Sequence, residues 1–587
     1  MNKIYWVLGA GLIATLPGCS SAGSESKGSV GDYPSGNYGA ADASLSAGGP
    51  RGLADAGAST PAVLPPEQEQ NLDFLAPRAG ANYVYVANPG RDTVSVIDST
   101  SLAINEVTTG DTPTYLATVP GQDVALVINI GSHTLGILRG ATMPTDPIAV
   151  VPKANTISIS PDGQHAVVWF DSSQTSLSTT TSLSGSTQDV SVITLSSAGD
   201  RQTTMTVGYQ PSAVVFSSDG AAAFMVTSDG ISSLRFADIT KPAIAPITHI
   251  DTSTVTLAQR DAGAAGPGPL DGGSPAVDGG ASPDLGKDAT PTTVPAGTGK
   301  ANDVSVTPDG HYAIARRDGT SDLLLIDLTL TTNNITTLRL SSPVTDLDIS
   351  PAGTQAFAVL RDESTLVALD IPEGFTDIAH RTPWPLAGET IGSVTVSAKG
   401  KYALLYTTAL PSKSLVILGL QPGATIGPQA VELQKPIQAV AIAPDEKTAL
   451  IVHTKAAGNP MATGIDPSTQ LDRSYAYTMV RLDEAFAKFV VTSANPTPFA
   501  ITPLSEYAFV LLRDDTAGVR IAERIDLNSF YADDFMLGSP PNSIAALQTH
   551  RVFVGQVHPE GRISFIDWMS GKVVSVTGFA LNGRIQQ

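Results

Sequence analysis

The residues able to do chemistry in this chain are few and dispersed. Its eight histidines form no HExxH pair, and the chain holds no GxSxG elbow and no Walker A loop. His133, His165, His311 and His550 fall near strand starts or turns, where a lone histidine usually serves as polar surface. Cys19 is the one cysteine, so internal disulfides, thiolate zinc sites, CxxC redox pairs and CxxCH haem attachment are excluded. Gly9-Ala10-Gly11 with Ala14 has the spacing of a dinucleotide fingerprint, but no strand precedes it, so it carries no such reading. Asp271, Asp278, Asp284 and Asp288 lie close together without the spacing of an EF-hand loop. Asp303 and Asp346 are more informative, because each stands at the start of the same strand of a repeated unit. There they could help hold a cation or polar ligand, or hydrogen-bond the backbone of the neighbouring unit. No cofactor and no metal site is expected.

The elements that would position these residues repeat along the chain. Ile157-Ser158-Ile159-Ser160-Pro161-Asp162-Gly163, followed by Ala166-Val167-Val168, is the clearest unit. Its echoes begin at Val304, Leu347, Val394 and Val440, and at Val214 in a form that has lost the proline. Alternation of apolar residues with period two specifies strands with two distinct faces. The turn between them suits a tight hairpin, since proline presets φ, aspartate bonds its own backbone and glycine accepts positive φ. A third strand follows and often ends in aspartate, as in Val94 to Asp98, Leu323 to Asp327, Leu366 to Asp370 and Ile563 to Asp567. A more polar fourth strand, such as Arg201 to Val207, completes the unit. Four strands recurring at roughly 41–60 residues predict an all-β fold, a β-propeller of four-stranded antiparallel blades.

Roughly ten repeats fill residues 81–587, with degraded copies near Thr502-Pro503 and Gln548-Thr549. One large ring, two rings, or a smaller ring with some repeats misread would all fit; one large ring is favoured by the ends. The array opens on a second strand at Tyr83 and finishes on a leftover strand, Phe579 to Ile585, able to supply the missing first strand of the opening blade. Such closure removes an exposed sheet edge.

Bulk composition narrows the partners. With 587 residues and 42% hydrophobic content the chain can bury a large core, and with 15% charged residues its surface must rely on Ser, Thr, Gly and Asn. The formal charge of −21, from 55 acidic against 34 basic residues, repels phosphate backbones, so nucleic acid is not expected as a partner.

The N-terminus reads as an address. Lys3 precedes an apolar run from Ile4 to Leu16 that is too short for an ordinary membrane span, and Leu16-Pro17-Gly18-Cys19 ends it. This end resembles the lipobox of bacterial lipoproteins, with Pro17 departing from the usual small or β-branched residue. The resemblance implies cleavage before Cys19 and attachment to a lipid bilayer through acylated Cys19, and Ser20 after it favours the outer over the inner membrane. Residues 20–80 have too few large apolar groups to order themselves and read as a disordered Gly/Ser/Ala linker, with an end-to-end distance of roughly 40–50 Å.

Tyr83-Val84-Tyr85-Val86-Ala87-Asn88 followed by Thr93 to Asp98, together with the Ser-Pro-Asp-Gly turns, resembles the YVTN-repeat propellers of bacterial surface and periplasmic proteins. The resemblance implies a WD40-like ring and says little of activity, because lactonase-like and TolB-like rings share these motifs.

Three insertions interrupt the array: Ser172 to Gln188, residues 251–300 and Ala456 to Asp472. The first and third lie between second and third strands, and the middle one between a fourth strand and the next first strand. Both kinds of connection emerge on one face of an antiparallel blade, and the tight turns lie on the other. The middle insertion is rich in Gly, Pro and Asp and is expected to be disordered. Loops on rigid scaffolds are where binding resides. The expectation is a lipid-anchored cell-envelope protein whose propeller is a non-enzymatic binding or scaffold module for protein or glycan. The alternative is a lactonase-like or other hydrolytic enzyme with its site in the channel. A leader entering at Tyr83 would join the ring on the turn side, directing the loop-rich face away from the membrane.

Overall fold

The computed structural model describes Glu67 and residues 79–172, 187–241, 245–252, 303–317, 319–330, 334–420 and 427–579. Over these residues the chain forms ten antiparallel sheets in sequence order. Nine have four strands, and the first has three: Tyr83–Asn88, Thr93–Asp98 and Ile104–Thr108. They are the blades of a single ring, numbered 1 to 10 from the N-terminus.

The ring follows from strands that are apolar on both faces. In blade 6 the second strand, Gln355–Leu360, turns Ala356, Ala358 and Leu360 toward blade 5 and Phe357 and Val359 toward blade 7. A two-faced strand needs a neighbour on each side, which only a closed array gives to every blade. Accordingly the buried side chains divide by seam: Tyr85, Val94 and Val96 of blade 1 meet Ala125, Val127 and Leu138 of blade 2, and so on round to the last seam. There Ala545, Phe553, Phe565 and Phe579 pack with Val84 and Ile97 of blade 1. Polar bonds tie the same seam, with Gln548 N donating to the Ala81 carbonyl at 3.1 Å and Ser99 Oγ 2.9 Å from Thr549 Oγ1. Arg551 also donates to the Ser99 carbonyl.

The chain leaves blade 10 after Val573–Thr577 as it leaves the other blades. Earlier crossings reach a serine on the third strand of the next blade: Val151 N donates to Ser191 Oγ at 3.0 Å and Gly208 N to Ser232 Oγ at 2.9 Å. At the last crossing Ser95 Oγ of blade 1 donates to the Phe579 carbonyl at 3.2 Å. The expected one-ring closure is therefore present up to Phe579, and the rest of the anticipated closing strand lies outside the described residues.

The turns explain the repeat. At the turn of blade 3, Ser160 Oγ accepts from His165 N at 2.9 Å and donates to Asp162 Oδ1 at 2.6 Å, while Gly163 adopts φ +69°. The aspartate ending many third strands turns the chain into the fourth: Asp98 Oδ1 accepts from Thr100 N and Ser101 N, and Asp567 Oδ1 from Met569 N and Ser570 N. Glu446 in blade 8, and Ser505 and His550 in the two degraded repeats, take the glycine's place at φ +61°, +57° and +58°.

Candidate binding site on the loop-rich face

The anticipated polarity of the ring is present. Connections between second and third strands, and between one blade and the next, emerge on one face and the tight turns on the other, and the strand ends that flank the three insertions are on the first. Residues 173–186 of the first insertion and 253–302, nearly all of the middle one, lie outside the described residues. The third insertion is built into the fold. Asp466 caps the short helix Pro467–Asp472 by accepting from Thr469 N. Its last carbonyls are held by Lys435, whose Nζ donates to Leu471 O and Asp472 O at 2.8 and 2.9 Å and to Ser474 O at 2.5 Å. Lys435 is 1% exposed, and that burial lowers its ammonium pKa, with Lys455 and Lys413 adding repulsion against the pull of Asp472.

The seam between blades 6 and 7 carries a second built feature. Arg361 follows the strand Gln355–Leu360, and Thr407 to Ala409 follow Tyr402–Tyr406, the second strand of blade 7. Both groups therefore stand on the loop-rich face, next to Gly392 at the entry of blade 7. The carboxylate of Glu67 sits among them. Its Oε1 accepts from the Arg361 guanidinium at 2.5 Å and Thr407 Oγ1 at 2.7 Å. Its Oε2 accepts from Thr408 N at 2.6 Å, Thr408 Oγ1 at 2.8 Å and Ala409 N at 3.0 Å. The paired side chains are 3% exposed for Glu67 and 8% for Arg361. A Cβ at Gly392 would fall 1.6 Å from Oε1, so glycine is what leaves room for the carboxylate. Gly392 is itself fixed, donating to the Tyr406 carbonyl at 2.7 Å and accepting from Thr345 Oγ1 at 2.7 Å. Two peptide N–H groups, two hydroxyls and a guanidinium make a cradle for one anion.

Glu67 belongs to the stretch read as linker, and sequence reasoning attached no role to it or to Arg361. Ala79 to Tyr83 meet the ring on the turn side, as anticipated, through an Ala79–Val84 bridge and the bond from Asn82 N to Asp123 Oδ1 at 2.7 Å. Glu67, twelve residues earlier, is held on the opposite face. The described leader residues therefore meet the ring on both faces, Ala79 to Tyr83 on the turn side and Glu67 on the loop-rich side.

Of the two carboxylates singled out by repeat position, Asp303 opens the first strand of blade 5 opposite Arg316, and its side chain lies outside the described residues. Asp346 opens the first strand of blade 6 and is 3% exposed. Its Oδ1 accepts from Leu347 N at 2.8 Å and its Oδ2 from Val394 N of blade 7 at 2.7 Å. Asp348 repeats the device with Ile349 N and Val396 N, both at 2.8 Å. These carboxylates pin adjacent first strands together along the seam that holds Glu67. Their oxygens are engaged with backbone, so the site they help form is one of fixed geometry.

The histidines are distributed singly. His165 stacks on Phe236 with ring centroids 3.9 Å apart, and its pKa is lowered by burial. His550 meets Trp568 edge-on, and His311 lies 3.3 Å from Asp309. His453, in blade 8, is 2% exposed, with Nε2 2.7 Å from Thr478 Oγ1 and Nδ1 3.2 Å from the Pro436 carbonyl. Burial holds its pKa down to about 4. On the turn face, a cleft of about 280 Å³ between blades 4 and 5 is bordered by Asp219, Asp309 and His311. Both carboxylates there are engaged in their own turns, Asp219 with Ser217 and Ala221 and Asp309 with Thr307 and His311. Among the described residues no group of three or more His, Cys, Asp or Glu side chains could hold a metal ion. No helix among them is long and apolar enough to cross a membrane.

No protein-family model matches this chain, and no curated protein does. Among solved structures the chain is similar to hydrazine synthase of Kuenenia stuttgartiensis, at 12% identity and a TM-score of 0.28 over 45% of this chain and 76% of the other. It is also similar to the dihydro-heme d1 dehydrogenase NirN, at 12% identity and 0.39 over 87% and 80%. A third similarity is to a eukaryotic initiation factor, at 9% identity and 0.44 over 86% and 97%. These likenesses carry nothing about what the chain does.

Proposed function

We propose that this protein is a membrane-anchored cell-envelope lipoprotein whose ten-bladed ring acts as a non-enzymatic binding or scaffold module through its loop-rich face. The observation that carries the reading is the construction of that face. The third insertion is locked by a buried lysine, and a five-donor carboxylate cradle stands on strand ends one seam away. Rigid scaffolds that present ordered loops on one side are suited to recognition. Cys19, ending its apolar run, supports a lipid anchor on the bilayer, with the outer membrane as the destination. The net charge of −21 supports a protein or glycan partner over nucleic acid.

Affinity capture from membranes tests this reading, using the full lipidated chain solubilised in mild detergent. A discrete protein or glycan partner should co-purify, and its recovery should fall when residues 456–472 are replaced by a short Gly/Ser turn. Recovery unchanged by that replacement and by truncation of the Thr407 to Lys413 loop would exclude the loop-rich face.

A further inference from the structure

We propose that the cradle of Arg361, Thr407, Thr408 and Ala409 is a receptor site for an acidic peptide, which presents a glutamate carboxylate to it, and that Glu67 occupies this site in cis until such a partner displaces it. The inference deepens the binding-module reading, on which it rests, by naming the chemistry of the partner.

The receptor side is built by the ring and the ligand side is not. Arg361 and Thr407 directly follow second strands of two adjacent blades, and the seam between them is pinned by Thr345, Asp346 and Asp348. Glu67 reaches this pocket from the leader, 294 residues from Arg361 in sequence. Removing Glu67 would leave the Arg361 guanidinium, 8% exposed while the glutamate is seated, facing two inward N–H groups with no other ion-pair partner among the described residues. A buried charge stripped of its partner is costly, so the vacated pocket favours another carboxylate. The guanidinium also keeps donor capacity in reserve, since Arg361 Nε is buried without a hydrogen-bond partner.

The carboxylate already seated in the cradle favours an acidic peptide over a neutral one. Burial lowers the pKa of Lys435, Asp472 opposes that shift, and Lys455 and Lys413 add to it. Lys413 ends the loop that begins with Thr407 and Thr408. The resident ligand is itself a glutamate in a Gln- and Glu-rich stretch, Pro65-Pro66-Glu67-Gln68-Glu69-Gln70, which is the template for what the site accepts. A tethered ligand acts at an effective concentration on the order of millimolar, so external peptide must compete with it and the intact protein binds weakly.

The test uses the mature full chain and a synthetic peptide of residues 62–72 with blocked ends, followed by titration calorimetry. Glu67→Ala should bind the peptide at least about tenfold more tightly than the unmodified protein, from removal of the internal competitor. Adding Arg361→Ala to Glu67→Ala, or changing the peptide's glutamate at position 67 to glutamine, should weaken binding by a similar factor. Gly392→Ala, whose new Cβ would meet the carboxylate, should expel Glu67 and expose the leader near it to limited proteolysis while the melting transition of the ring is retained. A folded Glu67→Ala protein that binds no peptide would overturn the proposal, and so would binding indifferent to Arg361. Equal displacement of the peptide by acetate or inorganic phosphate at the same concentration would overturn the peptide assignment. Partner capture from membranes that persists after these failures would leave the binding-module reading standing and remove the carboxylate site alone.

Discussion

At the scale of single residues, polar side chains buried in the seams hold blades together and carry the chain's response to pH. His453 packs 2% exposed, with both ring nitrogens facing polar neighbours, and burial keeps its pKa at about 4 against an ordinary value near 6.5. Between those values the unfolded chain binds a proton that the folded ring refuses, so unfolding is favoured as pH falls. Denaturant midpoints measured from pH 7 down to pH 4 should therefore decline, and His453→Gln should flatten that decline while lowering stability at neutral pH. A pH slope identical in the two proteins would show that His453 does not carry the effect. Little of this was visible in the sequence. Asp346 was singled out by its repeat position, and binding the neighbouring blade's backbone was one of the two roles considered for it. His453 and Arg361 gave no such sign, because their meaning depends on what the adjacent blade brings to them.

At the scale of elements, the turns and insertions were the most legible parts. Ser-Pro-Asp-Gly writes its geometry into adjacent residues, so the turns of blades 3 and 5 could be read directly from Ser160 to Gly163 and Thr307 to Gly310. Blade 8 was still read from Val440 to Glu446, whereas blades 9 and 10 were harder, since Ser505 and His550 adopt the left-handed conformation that elsewhere falls to glycine. The third insertion was placed correctly between strands, whereas its anchoring was not foreseen: Lys435 precedes the helix by more than thirty residues. Lys435→Met keeps the length of the side chain and removes the donor to three carbonyls. Hydrogen exchange should then accelerate across the helix Pro467–Asp472 and leave the second strand of blade 8, Thr448–His453, protected. Unchanged exchange in the helix would mean that the insertion is held by something other than this lysine.

At the scale of the molecule, closure and polarity decide what the ring can do. In the ring, strands apolar on both faces have a neighbour on each side, and the leftover strand read from Phe579 to Ile585 indicated where the last seam would close. The number of blades in one ring was less legible, because strand alternation specifies a seam without fixing how many seams complete a circle. Closure can be read directly by chemistry. In a mature chain with Cys19→Ser, the pair Ser99→Cys and Thr549→Cys should form an intramolecular disulfide on mild oxidation, since the native side chains are 2.9 Å apart across 450 residues. A disulfide appearing only between molecules would break the single ring. Function rests on the polarity of that ring, and two residues of nearly equal exposure report the two faces: Met461 on the third insertion at 77% and Leu504 on the turn of blade 9 at 74%. With a photo-crosslinking amino acid at one position or the other in the membrane-bound protein, the Met461 position should yield a discrete partner adduct and the Leu504 position none. Adducts of equal yield from both positions, or from Leu504 alone, would contradict the loop-rich face as the working surface.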